Sequence, residues 1–238
     1  MSIRIFSFVI GLILMTVAFS AHALELVVIT SSAPGLTPGQ IVNSGEPLQI
    51  PEGATVTLVS NSGKTIILKG PHKGPSGFIS AGTGDTRLIS SLAGLLSGSG
   101  KDTESLGTVR SVGSPPPPTD PWVVDVGKSG DHCVPAKGPV TLWRAKSTAK
   151  KKFSLKNLSD RTKALTGWPA GASILKWPAN VRLKDGARYL ARFKGSRSAR
   201  KFILHLVPDH LPSDAHRAAW MAEKGCENQA IRLLSRLR

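Results

Sequence analysis

Apolar and polar positions alternate along residues 48–75, LQIPEGATVTLVSNSGKTIILKGPHKGP. From Ala54 to Leu58, Val56 and Leu58 take one face and Thr55 and Thr57 the other, the two-residue period of a β-strand. SNSGK supplies turn residues, with Gly63 suited to a left-handed position, and the β-branched run TIILK returns as a second strand. The segment therefore predicts a β-hairpin. Upstream, LELVVIT (24–30) reads as a buried strand, and GQIV and PLQI flank a turn-like NSGE. Between Gly84 and Gly98 the period changes. Leu88, Leu92, Leu95 and Leu96 share one helical face, with Asp85 or Thr86 placed to cap a short amphipathic helix.

A break follows at SPPPPTDP (114–121). Four consecutive prolines favour extended polyproline II, a semi-rigid spacer of roughly 12 Å at about 3.1 Å per residue. Beyond it PWVVDV, PVTLW, KKFSL, ASILKW, ARYLARF and KFILHLV all read as strands. In ARYLARFK, Tyr189, Ala191 and Phe193 face one way, and Arg188, Arg192 and Lys194 the other. That is the pattern of an antiparallel strand with one wet, basic face. Trp168-Pro169 and Trp177-Pro178 bracket AGASILK, and their indoles are expected in the core rather than as ligand-stacking platforms. The spacing of strands and turns suits a small β-sandwich. The chain closes with LPSDAHRAAWMAEKG, capped by Ser213 and stopped at Gly225, and with CENQAIRLLSRLR, where Ala230, Ile231, Leu234 and Leu237 form a stripe. The expected fold is mainly β with C-terminal helices, α+β overall. Its expected parts are a leader (1–23), a β unit with one amphipathic helix (24–110), a proline-rich linker (111–121) and a sandwich-like domain ending in a helical pair (122–238).

The letters Ser-Gly-Lys-Thr at 62–65 also resemble the end of a phosphate-binding loop. Such a loop needs a glycine five residues before Gly63, and that position is Leu58, which does not readily take positive φ. A strand rather than a helix follows. A second near-match, GSGKD at 98–102, puts Asp102 where the metal-binding hydroxyl belongs. Neither supports a nucleotide site.

Charge and compartment narrow the reading further. Arg4, the apolar run Ile5–Phe19 and Ala21-His22-Ala23 have the form of a secretory signal peptide cleaved after Ala23, with an uncleaved membrane anchor as the alternative, so the product is expected to be exported. The formal net charge is +16. It concentrates in residues 137–163, where Asp160 is the only acid, and in residues 182–201, where Asp185 is the only acid. Lys150, Lys151, Lys152, Arg188, Arg192 and Lys194 are the candidate polyanion-binding residues. An exported basic domain points to anionic lipid, envelope polysaccharide or an acidic protein as its neighbour, and away from nucleic acid. The two cysteines, Cys133 and Cys226, form one disulfide in the simplest reading. Two free thiols, or a reactive Cys133 beside His132, are the alternatives.

Catalytic patterns are weak. Ser213, Asp214 and His216 are explained by helix capping, and no nucleophile elbow accompanies them. His205, His210 and His216 lack metal-ligand spacing. No catalytic, cofactor-binding or metal-binding residue is assigned.

GEPLQIPEGATVTLVSNSGKTIILKGP resembles the β-rich repeat of FecR-like periplasmic domains. The matching residues are Gly45, Glu46, Pro51, Gly53, Val56, Leu58, Gly63, Leu68 and Gly70. The whole chain also resembles a group of exported proteobacterial proteins sharing PWVVDVGKSGDHCVP, a Trp-Pro pair and a terminal AAWMAEKGC helix. That resemblance implies a Gram-negative periplasm and a paired cysteine, and brings no activity with it. FecR signalling proteins join this domain to a transmembrane helix and a cytoplasmic anti-sigma region. This sequence shows neither, so any sensing is expected to pass through a membrane partner. The expected function is a non-enzymatic periplasmic interaction or accessory module, partnered by a membrane sensor or another envelope protein. The alternative is a binder of anionic lipid or polysaccharide.

Overall fold

The computed structural model describes residues 24–78, 84–108, 118–145 and 148–237. The expected leader, and the spacer up to residue 117, lie outside them.

The first unit contains β1 (Glu25–Ser31), β2 (Ile41–Asn43), β3 (Leu48–Ile50), β4 (Thr55–Ser60), β5 (Thr65–Lys69), β6 (His72–Gly74) and α1 (Thr86–Thr108). The opening hairpin is β4–β5, in antiparallel register from Thr55↔Lys69 to Val59↔Thr65. Its turn closes with Gly63 N–H donating to the Ser60 carbonyl, at a Gly63 φ of 76°. The strands order as β2-β1-β4-β5, while β3 and β6 pair separately. Leu26, Val28, Val56 and Leu58 from the larger sheet meet Leu48 and Ile50 of β3 in one core. The other face of the same sheet is also covered. Val27, Ile29 and Val59 pack against Leu88, Ile89, Leu92 and Leu96 of α1. Residues Val56 to Ser60 are buried without interruption, because β4 lies between two hydrophobic layers.

Helix α1 starts where expected: the Asp85 carboxylate accepts from Arg87 N–H at 2.9 Å. It then runs past Gly98 to Thr108 and takes GSGKD into its body. Glycine costs a helix about 1 kcal/mol relative to alanine, which weakens propagation without stopping a helix already nucleated by its packed leucines.

The second unit contains β7 (Val123–Asp125), β8 (Gly130–Pro135), β9 (Thr141–Trp143), β10 (Lys151–Asn157), β11 (Lys163–Trp168), β12 (Ile174–Lys176), β13 (Ala187–Phe193) and β14 (Arg200–Val207). Two helices, α2 (Asp214–Glu223) and α3 (Glu227–Leu234), end the chain. A five-stranded sheet, β11-β10-β13-β14-β8, faces a three-stranded sheet, β12-β9-β7. Phe153, Leu155, Trp168, Tyr189, Phe202 and Leu204 from the first meet Val124 and Leu142 from the second in a common core. The sandwich is mainly antiparallel, but β14–β8 and β7–β9 are parallel pairs.

The helices join the two units. One cluster contains Val27 and Val59 of the first sheet, the α1 leucines, Ala215, Ala218 and Met221 of α2, Ala230 and Leu233 of α3, and Cys133 and Val207 of the sandwich. Ser213 caps α2, its side chain accepting from His216 N–H, and Gly225 turns the chain out of the helix at φ 79°. The inward stripe of α3 differs from the expected one. Gln229, Ala230, Leu233 and Leu234 are buried, while Ile231 and Leu237 are half-buried. The helix is rotated so that Gln229 reaches the edge of β8.

Candidate polyanion-binding face

Strand alternation fixes what the five-stranded sheet shows to solvent. Phe153, Leu155, Tyr189, Ala191, Phe202 and Leu204 point into the sandwich. Their neighbours in sequence must then point out, since successive side chains in a strand take opposite faces. The register places those outward residues in rows across the strands. Phe153 pairs with Phe193, so Lys152 and Lys194 stand opposite each other one step along, where Lys194 N–H donates to the Lys152 carbonyl at 2.8 Å. The next row holds Leu165, Ser154 and Arg192. The row after it holds Lys163, Lys156, Leu190 and Lys201. Arg188 follows, opposite Ile203.

Neighbouring rows on one face are about 6.8 Å apart and neighbouring strands about 4.8 Å apart. The cations are thus set on a regular grid. None of these positions on β10, β11, β13 and β14 is a carboxylate; the Arg188–Ile203 row continues onto β8 with Asp131, which pairs with His205. None of Lys152, Lys156, Lys163, Arg188, Arg192, Lys194 or Lys201 forms an ion pair with a described carboxylate.

Of the residues picked out by sequence, Lys152, Arg192 and Lys194 meet in one place, around a shallow groove that also takes in Ser154, Leu165 and Phe193. Lys150 joins them: its Cε lies 3.2 Å from where a Cβ on Gly167 would be, and Gly167 is the cross-strand partner of Lys152. Arg188 is on the same face but four residues from Arg192, about 14 Å along the strand. Lys151 shares the parity of Phe153 and leaves the face, so the three consecutive lysines do not act as one cluster. Lys156, Lys163, Lys201 and Leu165 were not picked out. The signal for the first three was present as charge, but their common face depends on the register of β11 and β14.

The remaining candidates have structural explanations. Cys133 and Cys226 are bonded, tying β8 to the corner between α2 and α3. Trp168 is fully buried and Trp177 half-buried, and both indole N–H groups donate to nearby carbonyls, of Ala172 at 3.0 Å and Val181 at 2.7 Å. The buried Arg144 guanidinium lies 5.1 Å from the Trp168 ring and 5.6 Å from the Phe193 ring, and burial lowers its pKa. Ser213 Oγ is 2.8 Å from His216 Nδ1, but Asp214 pairs with Arg217 at 2.7 Å instead of orienting the histidine. The hairpin tip closes over the pair, since a Cβ on Gly63 would lie 2.5 Å from both Ser213 Oγ and His216 Cε1. His205 pairs with Asp131 at 2.7 Å. No cluster of three or more potential metal ligands occurs among the described residues.

A second polar site lies in a partly open cleft. Buried His132, Asp125 and Gln229 and half-buried Arg232 line its cavity of about 200 Å³ beside the disulfide. Burial pushes the His132 pKa down against the pull of the Asp125 carboxylate, and its Nε2 has no hydrogen-bond partner among the described atoms. Among the described residues no helix is long and apolar enough to cross a membrane. No family model, no curated protein and no solved structure matches this chain.

Proposed function

We propose that this chain is a non-catalytic envelope module that binds polyanions through the outer face of its five-stranded sheet. One observation carries the reading. Lys152 stands opposite Lys194, and Lys156 opposite Lys163, on the part of the face formed by β11, β10 and β13, which holds no carboxylate; Asp131, outward on β8, is paired with His205. Like charges directly opposed across strands are destabilising, each pair by something on the order of 0.2–1 kcal/mol. A face that only had to stay soluble would interleave acids and relieve that repulsion. A polyanion relieves it instead, and its binding should weaken steeply with salt because exposed charges are screened over about 8 Å at physiological ionic strength. Export follows from the signal-like leader, and the disulfide and the lack of a spanning helix among the described residues accord with it.

The test is titration of the full chain with dextran sulfate and with phosphatidylglycerol vesicles. Combined Lys152→Glu, Arg192→Glu and Lys194→Glu should weaken both by more than about tenfold. Lys137→Glu, at a lysine ion-paired with Asp209, serves as the control. Equal affinity for the triple variant and the wild type would end the proposal.

A second reading is the accessory module, with its FecR-like first unit docked on another envelope protein. It is favoured by β5, an edge strand whose Ile67 is 43% exposed. Unpaired edges are templates for another chain. In-cell crosslinking at Ile67 should then capture one envelope protein. Capture no greater than from an exposed site elsewhere would dismiss it.

A further inference from the structure

The basic face also carries aliphatic side chains where a water-soluble polymer has no use for them. Leu165 is 70% exposed, the most exposed of the large hydrophobic residues among those described. It lies in the row of Ser154 and Arg192, with Lys163 two residues before it on the same strand and Lys152 and Lys194 in the adjoining row. Leu190 is half-buried between Lys156 and Lys201 in the next row. A single exposed leucine is ordinary on a protein surface. This one is set among cations where β10, β11 and β13 hold no carboxylate, on β11, the edge strand at which the sheet can tip toward a plane.

Resting on the polyanion reading, we infer that the occupant of this face is an anionic lipid surface, with Leu165 entering the boundary between headgroups and acyl chains. Charge complementarity alone would suit any polyanion. The leucine separates the cases, because only a lipid surface offers both phosphate and an apolar phase within one side-chain length. Interfacial protein elements combine cations at the headgroups with apolar side chains buried about 5–10 Å into that boundary. Each lysine or arginine near an anionic leaflet adds attraction that fades within a Debye length, so the cations bring the sheet to the surface and the leucine holds it there. The long aliphatic stems of Lys152, Lys156 and Lys194 fit the same arrangement, lying along the face with their ammonium groups at headgroup level.

The experiment uses the full chain with two probes, vesicles of phosphatidylglycerol in phosphatidylcholine and soluble dextran sulfate. Leu165→Ser should weaken vesicle binding about tenfold, as expected for withdrawing most of one leucine from an apolar phase. It should leave dextran sulfate binding within about twofold, because it removes no charge. Leu165→Met, which keeps the apolar bulk, should restore vesicle binding. The side chain is exposed, so the fold is not at risk.

Equal vesicle binding by wild type and Leu165→Ser would overturn the lipid inference. So would binding of dextran sulfate without binding of vesicles, although the polyanion reading would then stand. Loss of both probes in the charge-reversed triple variant, with no effect of Leu165→Ser, would point to charge alone. A wild type that sediments as a dimer, and becomes monomeric on Leu165→Ser, would show a second copy on this face and also overturn the inference.

Discussion

Gln229→Leu should be among the most damaging single substitutions in the sandwich, although the two side chains are similar in size. Gln229 is 3% exposed and lies on α3 against the open edge of β8. Its Oε1 accepts from Cys133 N–H at 2.9 Å, and its Nε2 donates to the Cys133 carbonyl at 2.7 Å. One side-chain amide thereby supplies both partners that a further strand would have given Cys133. The same Nε2 donates to the Pro121 carbonyl at 2.6 Å and approaches the Val123 carbonyl at 3.4 Å, fastening the chain as it enters the sandwich. Leucine would leave the Cys133 N–H and the Cys133 and Pro121 carbonyls without their partner. An orphaned buried polar group costs about 1–3 kcal/mol. With partial relaxation the sum should be about 3–5 kcal/mol, a large share of the roughly 5–15 kcal/mol that holds a typical domain folded. Urea denaturation at neutral pH, followed by tryptophan fluorescence, measures it. At a slope of about 2–3 kcal/mol per molar the midpoint should fall by roughly 1–2 M. A loss below about 1 kcal/mol would refute the claim that Gln229 completes the sheet edge.

Three further outcomes follow from the same geometry. Replacing both cysteines by alanine should cost about 4–5 kcal/mol by the chain-entropy estimate, because the bond spans 93 residues; reductant should produce a similar loss in the wild type and none in the variant. His132 has a folded-state pKa below its ordinary 6.5, so the folded protein binds fewer protons than the unfolded chain as pH falls below 6.5. Its contribution is therefore complete above pH 6.5 and is lost on acidification toward the depressed folded value, and His132→Phe should flatten the melting temperature between pH 7 and about pH 5. The charge-reversed face variant, Lys152→Glu with Arg192→Glu and Lys194→Glu, should unfold about as readily as the wild type, because it exchanges the opposed Lys152–Lys194 pair for an opposed pair of the other sign at exposed positions.

The strongest sequence signals were those with local causes. The β4–β5 hairpin follows from alternation and from a glycine at the turn. Ser213 and Gly225 bracket α2 because capping is decided within a few residues. The wet and dry faces of β13 can be read directly from ARYLARF. What stayed hidden depends on neighbours distant in the chain. Strand β8 was missed because DHCVP has little alternation; it is held by β14 on one side and by Gln229 on the other. Strand β11, KALTGW, was missed because its inward residues include a small alanine, and without it Leu165 and Lys163 have no face. The uninterrupted burial of β4 requires α1 on its second side. For the candidate face, the sequence revealed a surplus of cations. The register showed which of them are opposed, and turned Lys151 away from the rest.

The most direct measurement of the central claim is the binding of wild type and the Lys152→Glu, Arg192→Glu, Lys194→Glu variant to phosphatidylglycerol vesicles over a range of salt. The account expects wild-type affinity to fall steeply as salt rises, and the variant to bind more than about tenfold more weakly at low salt. Salt-independent binding, or the same affinity for both proteins, would contradict it.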